Sequence, residues 1–182
     1  MAARPCSAVR EVLGALLAVA GVDAGAGADP VAGGRTDSDR AVRWVPHDQW
    51  HVTLRFWADH DIDPVMSALD RAAADGVLGC AMARFGPSVE RLGPTALVVP
   101  VRGLDQLASE VGVATGGAPD RVYRGHLTLG RFRGRPRRDA SHRLVGAEVA
   151  AECAVTEIEL VESELGTAGA SHRIVGSWPL RA

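Results

Sequence analysis

The sequence predicts an α+β fold, on three observations. Helix-period and strand-period segments are mixed along the chain rather than strictly alternating. No glycine-rich phosphate loop of either nucleotide-binding type is present, so the pattern does not suit a doubly wound parallel sheet with ATP or NAD. The strand-like segments fall into two roughly similar halves, each with a strand that opens on a histidine. At 182 residues, 47% hydrophobic and 23% charged, the chain suits a single domain over 1–182, and its apolar content excludes disorder. A net charge of −2 argues against a bulk electrostatic nucleic-acid binder but leaves room for a locally basic groove.

Taken in order, residues 7–20 read as an amphipathic helix. Val9, Val12, Leu13, Leu16, Leu17 and Ala20 share one face, with Ser7 as the expected N-cap. Arg4 and Arg10 before that apolar run superficially match a secretory leader, but the one-faced periodicity favours a packed helix. Only about four residues precede it, too few for a strand with a full ladder. A neighbouring strand would then expose part of its edge, and this form is expected to be less stable than one carrying an upstream extension, if the gene encodes one. The run 21–40 is rich in Gly, Ala and Asp and reads as a long loop. A short strand at 42–45 stops at Pro46, and 51–57 alternates as a strand, with His51, Thr53, Arg55 and Trp57 on one face. Asp63 and Pro64 start a helix that ends near Gly76. Strands are expected at 80–85 and 95–102, then a helical stripe at Leu104, Leu107, Ala108 and Val111 and a turn at 116–120. Strands follow at 126–132, 154–162 and 172–180, with a helix at 139–149.

Two tetrapeptides carry the chemistry: His51-Val52-Thr53-Leu54 and His126-Leu127-Thr128-Leu129. Residues i and i+2 of a strand share a face, so each imidazole and hydroxyl can address one small group, while Val52, Leu54, Leu127 and Leu129 anchor the opposite face. Two such strands facing one another suit displacement at phosphorus. One neutral imidazole takes a proton from water, the other as imidazolium protonates the leaving oxygen, and the hydroxyls bind non-bridging oxygens, with no metal required. Arg131, Arg133, Arg135, Arg137 and Arg138 form a basic stretch after the second motif, which reads either as a solvated loop or as a guide for a nucleic-acid backbone, and simple alternation turns Arg131 away from His126. His47 and His51 have zinc-protease spacing, but Pro46 and the following strand leave at most a turn there. Trp44, Trp50 and Trp57 could stack a base, with core packing expected for at least two of them. His60, His142 and His172 read as surface residues. Cys6, Cys80 and Cys153 are scattered, with no disulfide or zinc pattern, and read as ordinary thiols in a reducing cytoplasm. No stretch approaches the ~20 apolar residues that span a bilayer, so no membrane association is expected.

The paired motifs resemble those of the 2H phosphoesterases, and within them the RNA 2′,3′-cyclic phosphodiesterase, or 2′-5′ RNA ligase-like, family. Flanking segments are similar too: Arg43-Trp44-Val45-Pro46 leading to Trp50, Tyr123 through Arg131 (with Gly125 where a proline is usual), Ile158 through Leu165, and Trp178-Pro179-Leu180. The resemblance implies a two-lobed α+β fold, with antiparallel sheets flanking a central groove and helices outside. It implies His51 as proton donor, His126 as proton acceptor, Thr53 and Thr128 as phosphate-binding groups, Arg131 as a substrate contact because the family has an arginine there, and no cofactor. The implied reaction hydrolyses a terminal 2′,3′-cyclic phosphate to a 2′-phosphomonoester, on RNA ends or small cyclic nucleotides, by a cytoplasmic monomer. Two other readings remain open: a non-catalytic RNA-end or nucleotide-binding protein of this fold, and an ATP-independent RNA ligase using the same acid and base.

Overall fold

The first helix, α1 (Ser7–Val19), buries Val9, Leu13 and Leu17 completely and packs on β8 (Ala151–Val155). Burial of each such side chain contributes about 1.5–3 kcal/mol. Val12 lies at the edge of that face, 44% exposed, and Cys6 rather than Ser7 is the N-cap, without a side-chain cap bond. The Cys6 N–H instead donates to the Cys153 sulfur at 3.1 Å, so two thiols that are remote in sequence meet beneath the helix. The protein is represented by a computed structural model that describes residues 1–22, 42–58, 60–117, 122–132, 141–166 and 169–182, with backbone only at 141–142, 164–166 and 169–171. The loop expected at 21–40 falls almost wholly outside these residues, as do part of the turn at 116–120 and the start of the helix expected at 139–149.

The remaining helices are α2 (Ile62–Ala74), α3 (Asp105–Ala114) and the short α4 (Ser141–Leu144). Asp61, not Asp63, caps α2, its carboxylate accepting from the Asp63 N–H at 3.2 Å. Asp63 instead sits in the first turn, where a negative charge still suits the helix dipole. The other strands are β1 (Ala2–Ala3), β2 (Val42–Trp44), β3 (Val52–Thr53), β4 (Ala81–Phe85), β5 (Glu90–Leu92), β6 (Ala96–Arg102), β7 (His126–Phe132), β9 (Glu157–Gly166) and β10 (Gly169–Pro179). They form a curled antiparallel sheet in the order β10-β9-β1-β3-β7-β6-β4-β8, with β2 added to β7 and β5 to β6. The α+β expectation therefore holds.

Three strands differ from expectation, and the helix expected at 139–149 is only α4, which ends at Leu144 before a turn. The strand expected over 51–57 is only Val52–Thr53. The Leu54 and Arg55 N–H groups both donate to the Met1 carbonyl, after which the chain leaves the sheet, and Phe56 ends 75% exposed. The Arg55 guanidinium then binds the carbonyls of Gly112 and Gly117 at the C-terminal end of α3, where cationic donors satisfy otherwise unpaired acceptors. Second, the single strand expected at 154–162 is two strands. Cys153 and Val155 are buried in β8, Ile158 and Leu160 in β9, and the change of phase falls at the corner residue Thr156. Third, β5 has no counterpart among the expected elements, because its alternating side chains are mostly exposed.

The two-residue β1 is completely enclosed, between β3 (Ala2 opposite Thr53, Ala3 opposite Val52) and β9 (Ala2 opposite Glu159). Arg4, just beyond it, donates through Nε to Glu159 at 2.6 Å and through its terminal nitrogen to the Asp48 carbonyl. This short segment thus ties the β9–β10 hairpin to the strand bearing the first motif.

Candidate active site

The register of β3 against β7 assembles the site. Val52 lies opposite Leu127, which sets His51 across from Thr128 and Thr53 across from His126 on one face. Val52 and Leu127 themselves are buried, 1% and 0% exposed, so the core fixes this register: a one-residue slip would expose both. Directly opposed side chains start about 4.5–5.5 Å apart, and the two histidines, on the diagonal, about 7–8 Å apart. A diagonal spacing of that scale lets two imidazoles address one small tetrahedral group.

Both rings are held alike. His51 Nδ1 lies 2.8 Å from the Gln49 carbonyl, and His126 Nδ1 lies 2.9 Å from the Arg124 carbonyl. A carbonyl only accepts, so each Nδ1 carries the proton and each Nε2 is left to gain or lose one. The sequence pattern contains nothing that shows these tethers, because the partner is main chain two residues upstream. Gly125 lies between His126 and that carbonyl. A Cβ there would come within 2.4 Å of the Val101 carbonyl oxygen, so this backbone path has no room for a side chain.

The two environments differ. Burial lowers the His51 pKa below the usual imidazole value, partly offset by the bond to Gln49, and His172, Arg4 and the Met1 amino group lower it further. The proximity of His172 corrects its sequence assignment as a surface residue. From β10 its ring stands 5.0 Å from that of His51, edge-on at 86°. Its own pKa is lowered by burial and then by Arg4, Arg131 and Arg43, and its buried Nδ1 has no partner in the protein. No spacing rule could reveal this contact, which depends on the reach of a long hairpin.

Arg131 also departs from expectation. Across β6, Leu97 pairs with Gly130 but Val98 with Thr128, so Leu129 is an extra residue and β7 carries a bulge. Leu129 and Gly130 are both buried in succession, and the inserted residue returns Arg131 to the exposed face shared with His126 and Thr128. Gly130 is required there, since a Cβ would come 2.7 Å from Val42 and 3.0 Å from the Trp44 ring. Arg43 on β2 lies directly opposite Arg131. The basic positions Arg133, Arg135, Arg137 and Arg138 lie outside the described residues, as does the side chain of His142.

Trp50 is completely buried and donates to the Val45 carbonyl at 3.0 Å, and Trp44 packs against the core. Trp57 is half-buried, with the Arg55 guanidinium 5.2 Å from its centroid and the exposed His60 ring stacked at 6.5 Å. His47 lies in a 3₁₀ turn (His47–Gln49) and packs on Trp50, so it shares no helical face with His51. Among the described residues, no group of three or more His, Cys, Asp or Glu side chains is placed to hold a metal ion, and no helix is long and apolar enough to cross a membrane.

No family model matches this chain, and no curated protein matches it. Solved structures do. TT0787 of Thermus thermophilus superimposes with a TM-score of 0.72 at 20% identity, covering 99% of this chain and 96% of that one. E. coli LigT in its apo form gives 0.63 at 20% identity, covering 100% and 95%. LigT complexed with 3′-AMP gives 0.64 at 19% identity, covering 100% and 96%. The chain therefore has the fold of LigT and TT0787, in keeping with the α+β fold of antiparallel strands that the sequence led us to expect.

Proposed function

We propose that this chain is an RNA 2′,3′-cyclic phosphodiesterase, hydrolysing a terminal cyclic phosphate to a 2′-phosphomonoester without a metal. The observation that carries the reading is the antiparallel register that sets His51 and His126 diagonally on one face, each with Nδ1 tethered and Nε2 available. In the reaction His126 Nε2 takes a proton from water as the oxygen attacks phosphorus in line with the 3′-oxygen. The P–O3′ bond breaks and O3′ takes a proton from His51 Nε2. Thr53 and Thr128 donate to the non-bridging oxygens as charge builds there, and Arg131 adds a cation to the same face. Both histidines finish in the opposite protonation state and are reset by exchange with water. The complexes of LigT with phosphate and with 3′-AMP support a phosphate-sized and nucleotide-sized site in this fold.

The lowered pKa of His51 favours its neutral form in the free protein, which suits a base better than an acid. A bound phosphate anion beside it would offset that bias and restore the imidazolium, as the donor role requires. The two assignments separate on an aryl phosphodiester whose leaving group needs no protonation. If His51 is the acid, His51→Ala retains turnover of the aryl ester while His126→Ala does not, and the reverse result exchanges the roles. The overall reading is tested by incubating the protein with a 2′,3′-cyclic-phosphate oligonucleotide in EDTA and identifying the product isomer. Loss of turnover in EDTA with recovery on adding zinc would overturn it.

A further inference from the structure

We infer that Cys6 and Cys153 are a reversible dithiol–disulfide pair, a site of oxidation by hydroperoxides that fastens α1 to β8 when it closes. The pair is independent of the phosphodiester chemistry, and either reading can fail without the other. Sequence spacing makes these two thiols look unrelated, since they are 147 residues apart, but the fold brings them into contact: the Cys6 N–H donates to the Cys153 sulfur at 3.1 Å. Both are free thiols. The nitrogen and Cβ of one residue are only two bonds apart, so rotation of the Cys6 side chain carries its sulfur to that of Cys153. The helix α1 already packs on β8, and the bond closes by side-chain rotation between elements that are in place. In the sheet order β1 is central and β8 terminal, so a bond from the start of α1 to β8 would span the curl of the sheet as a covalent chord.

The two sulfurs divide into an attacking and a resolving thiol. Cys6 is half-buried and Cys153 buried. Burial works against a Cys6 thiolate, but the Cys153 thiol beside it and the N–H groups of Val9, Ala8 and Cys6 itself outweigh burial and lower its pKa. Cys153 moves the other way, pushed up to about 11 by burial and then by Cys6, with the Arg10 cation opposing this in part. A stabilised, partly accessible thiolate is the nucleophile, and the neutral buried thiol is its partner. The Cys6 sulfur attacks one oxygen of the hydroperoxide, the O–O bond breaks, and Cys6 becomes a sulfenic acid while the other oxygen leaves and takes a proton from water. The Cys153 sulfur then attacks the Cys6 sulfur. The S–O bond breaks, and the departing hydroxide leaves as water with the Cys153 proton. Two electrons have passed from the sulfurs to the hydroperoxide, and an external dithiol returns them by exchange, becoming a disulfide itself. Cys80 is the internal comparison: it is exposed, and its thiol meets the Leu180 carbonyl rather than a second sulfur.

The test treats the reduced, folded protein with hydrogen peroxide near neutral pH, alkylates the remaining thiols in urea and maps the peptides by mass. The expected product is a single linked pair, Cys6 with Cys153, lighter than the reduced peptides by two hydrogens, with Cys80 still alkylated. Dithiothreitol should restore all three thiols. Cys153→Ser should stop the reaction at a Cys6 sulfenic acid that dimedone traps, and Cys6→Ser should slow oxidation of Cys153 roughly tenfold or more. The linked wild type should melt about 5 °C or more above the reduced form, because the bond closes a long loop of the unfolded chain. Oxidation of Cys80 as fast as Cys6, or of Cys6 to a sulfinic acid while Cys153 stays reduced, would overturn the pair. A linked form that melts no later than the reduced one would overturn the fastening. The wild-type map needs no substitution, so it decides even if Cys153→Ser weakens the core. Cyclic-phosphate turnover is read nowhere in this test, so loss of the phosphodiesterase reading leaves its outcome unchanged.

Discussion

The two His-x-Thr segments are nearly identical as strings and have the same Nδ1 tether, yet they occupy different surroundings. His51 immediately precedes a two-residue strand, with its tether part-buried, the ring of His172 against it and burial lowering its pKa. His126 opens a seven-residue strand, and its tether lies at the surface. The difference teaches that a repeated motif does not by itself make equivalent groups: orientation comes from each strand alone, whereas proton affinity comes from what the rest of the fold brings up to the ring. An acid and a base must differ in protonation at the same pH, and here only surroundings can separate them.

The sharpest way to break that comparison is to remove each ring. His51→Ala and His126→Ala should each lower kcat by ~10²–10⁴ on a cyclic-phosphate substrate, the usual range for losing a general acid or base. A variant retaining more than a tenth of wild-type kcat would remove its histidine from the mechanism. The threonines sharpen it further. Thr128 is half-buried and Thr53 exposed, so Thr128→Ala should cost the larger part of a roughly 10–10²-fold fall in kcat, while water partly replaces the lost Thr53 hydroxyl. Equal effects of the two would show that burial does not distinguish them. Gly130→Ala attacks the bulge, forcing a methyl group against Val42 and Trp44, and should destabilise the fold by about 1–3 kcal/mol in urea unfolding.

The smallest effect is in pH-dependent stability. Both His51 and His172 have folded pKa values below the usual 6.5, so the unfolded chain takes up protons more readily than the folded one. Their contribution to stability is complete above about pH 6.5 and declines as the pH falls below it, until the folded values are reached. Urea midpoints at pH 7.5 and 5.5 should therefore differ less for His51→Gln than for the wild type. An unchanged difference would show that burial does not restrain its protonation.

Much of the site was legible because strand alternation is local: the faces of Val52 and Leu127, and of the histidines and threonines beside them, follow from period two. The helix at Val9, Leu13 and Leu17 was legible for the same reason. What failed required knowledge of a partner strand. Arg131 was assigned to the wrong face because the inserted Leu129 is defined only against β6. The early end of β3 depends on the carbonyl of Met1, and the contact of His172 depends on a long hairpin that brings its ring to His51. The division between β8 and β9 was visible in principle, since burial passes from odd positions at Cys153 and Val155 to even ones at Ile158 and Leu160.

The carbonyl tethers on the two imidazoles have a consequence for how this site tolerates change. Where a carboxylate orients a catalytic histidine, one substitution elsewhere in the chain can disarm the ring while leaving it in place. Here the acceptors at Gln49 and Arg124 are main-chain atoms, which every amino acid supplies. Side chains at both positions can drift freely without costing either ring its tautomer, and a sequence search for an orienting aspartate would find nothing to align.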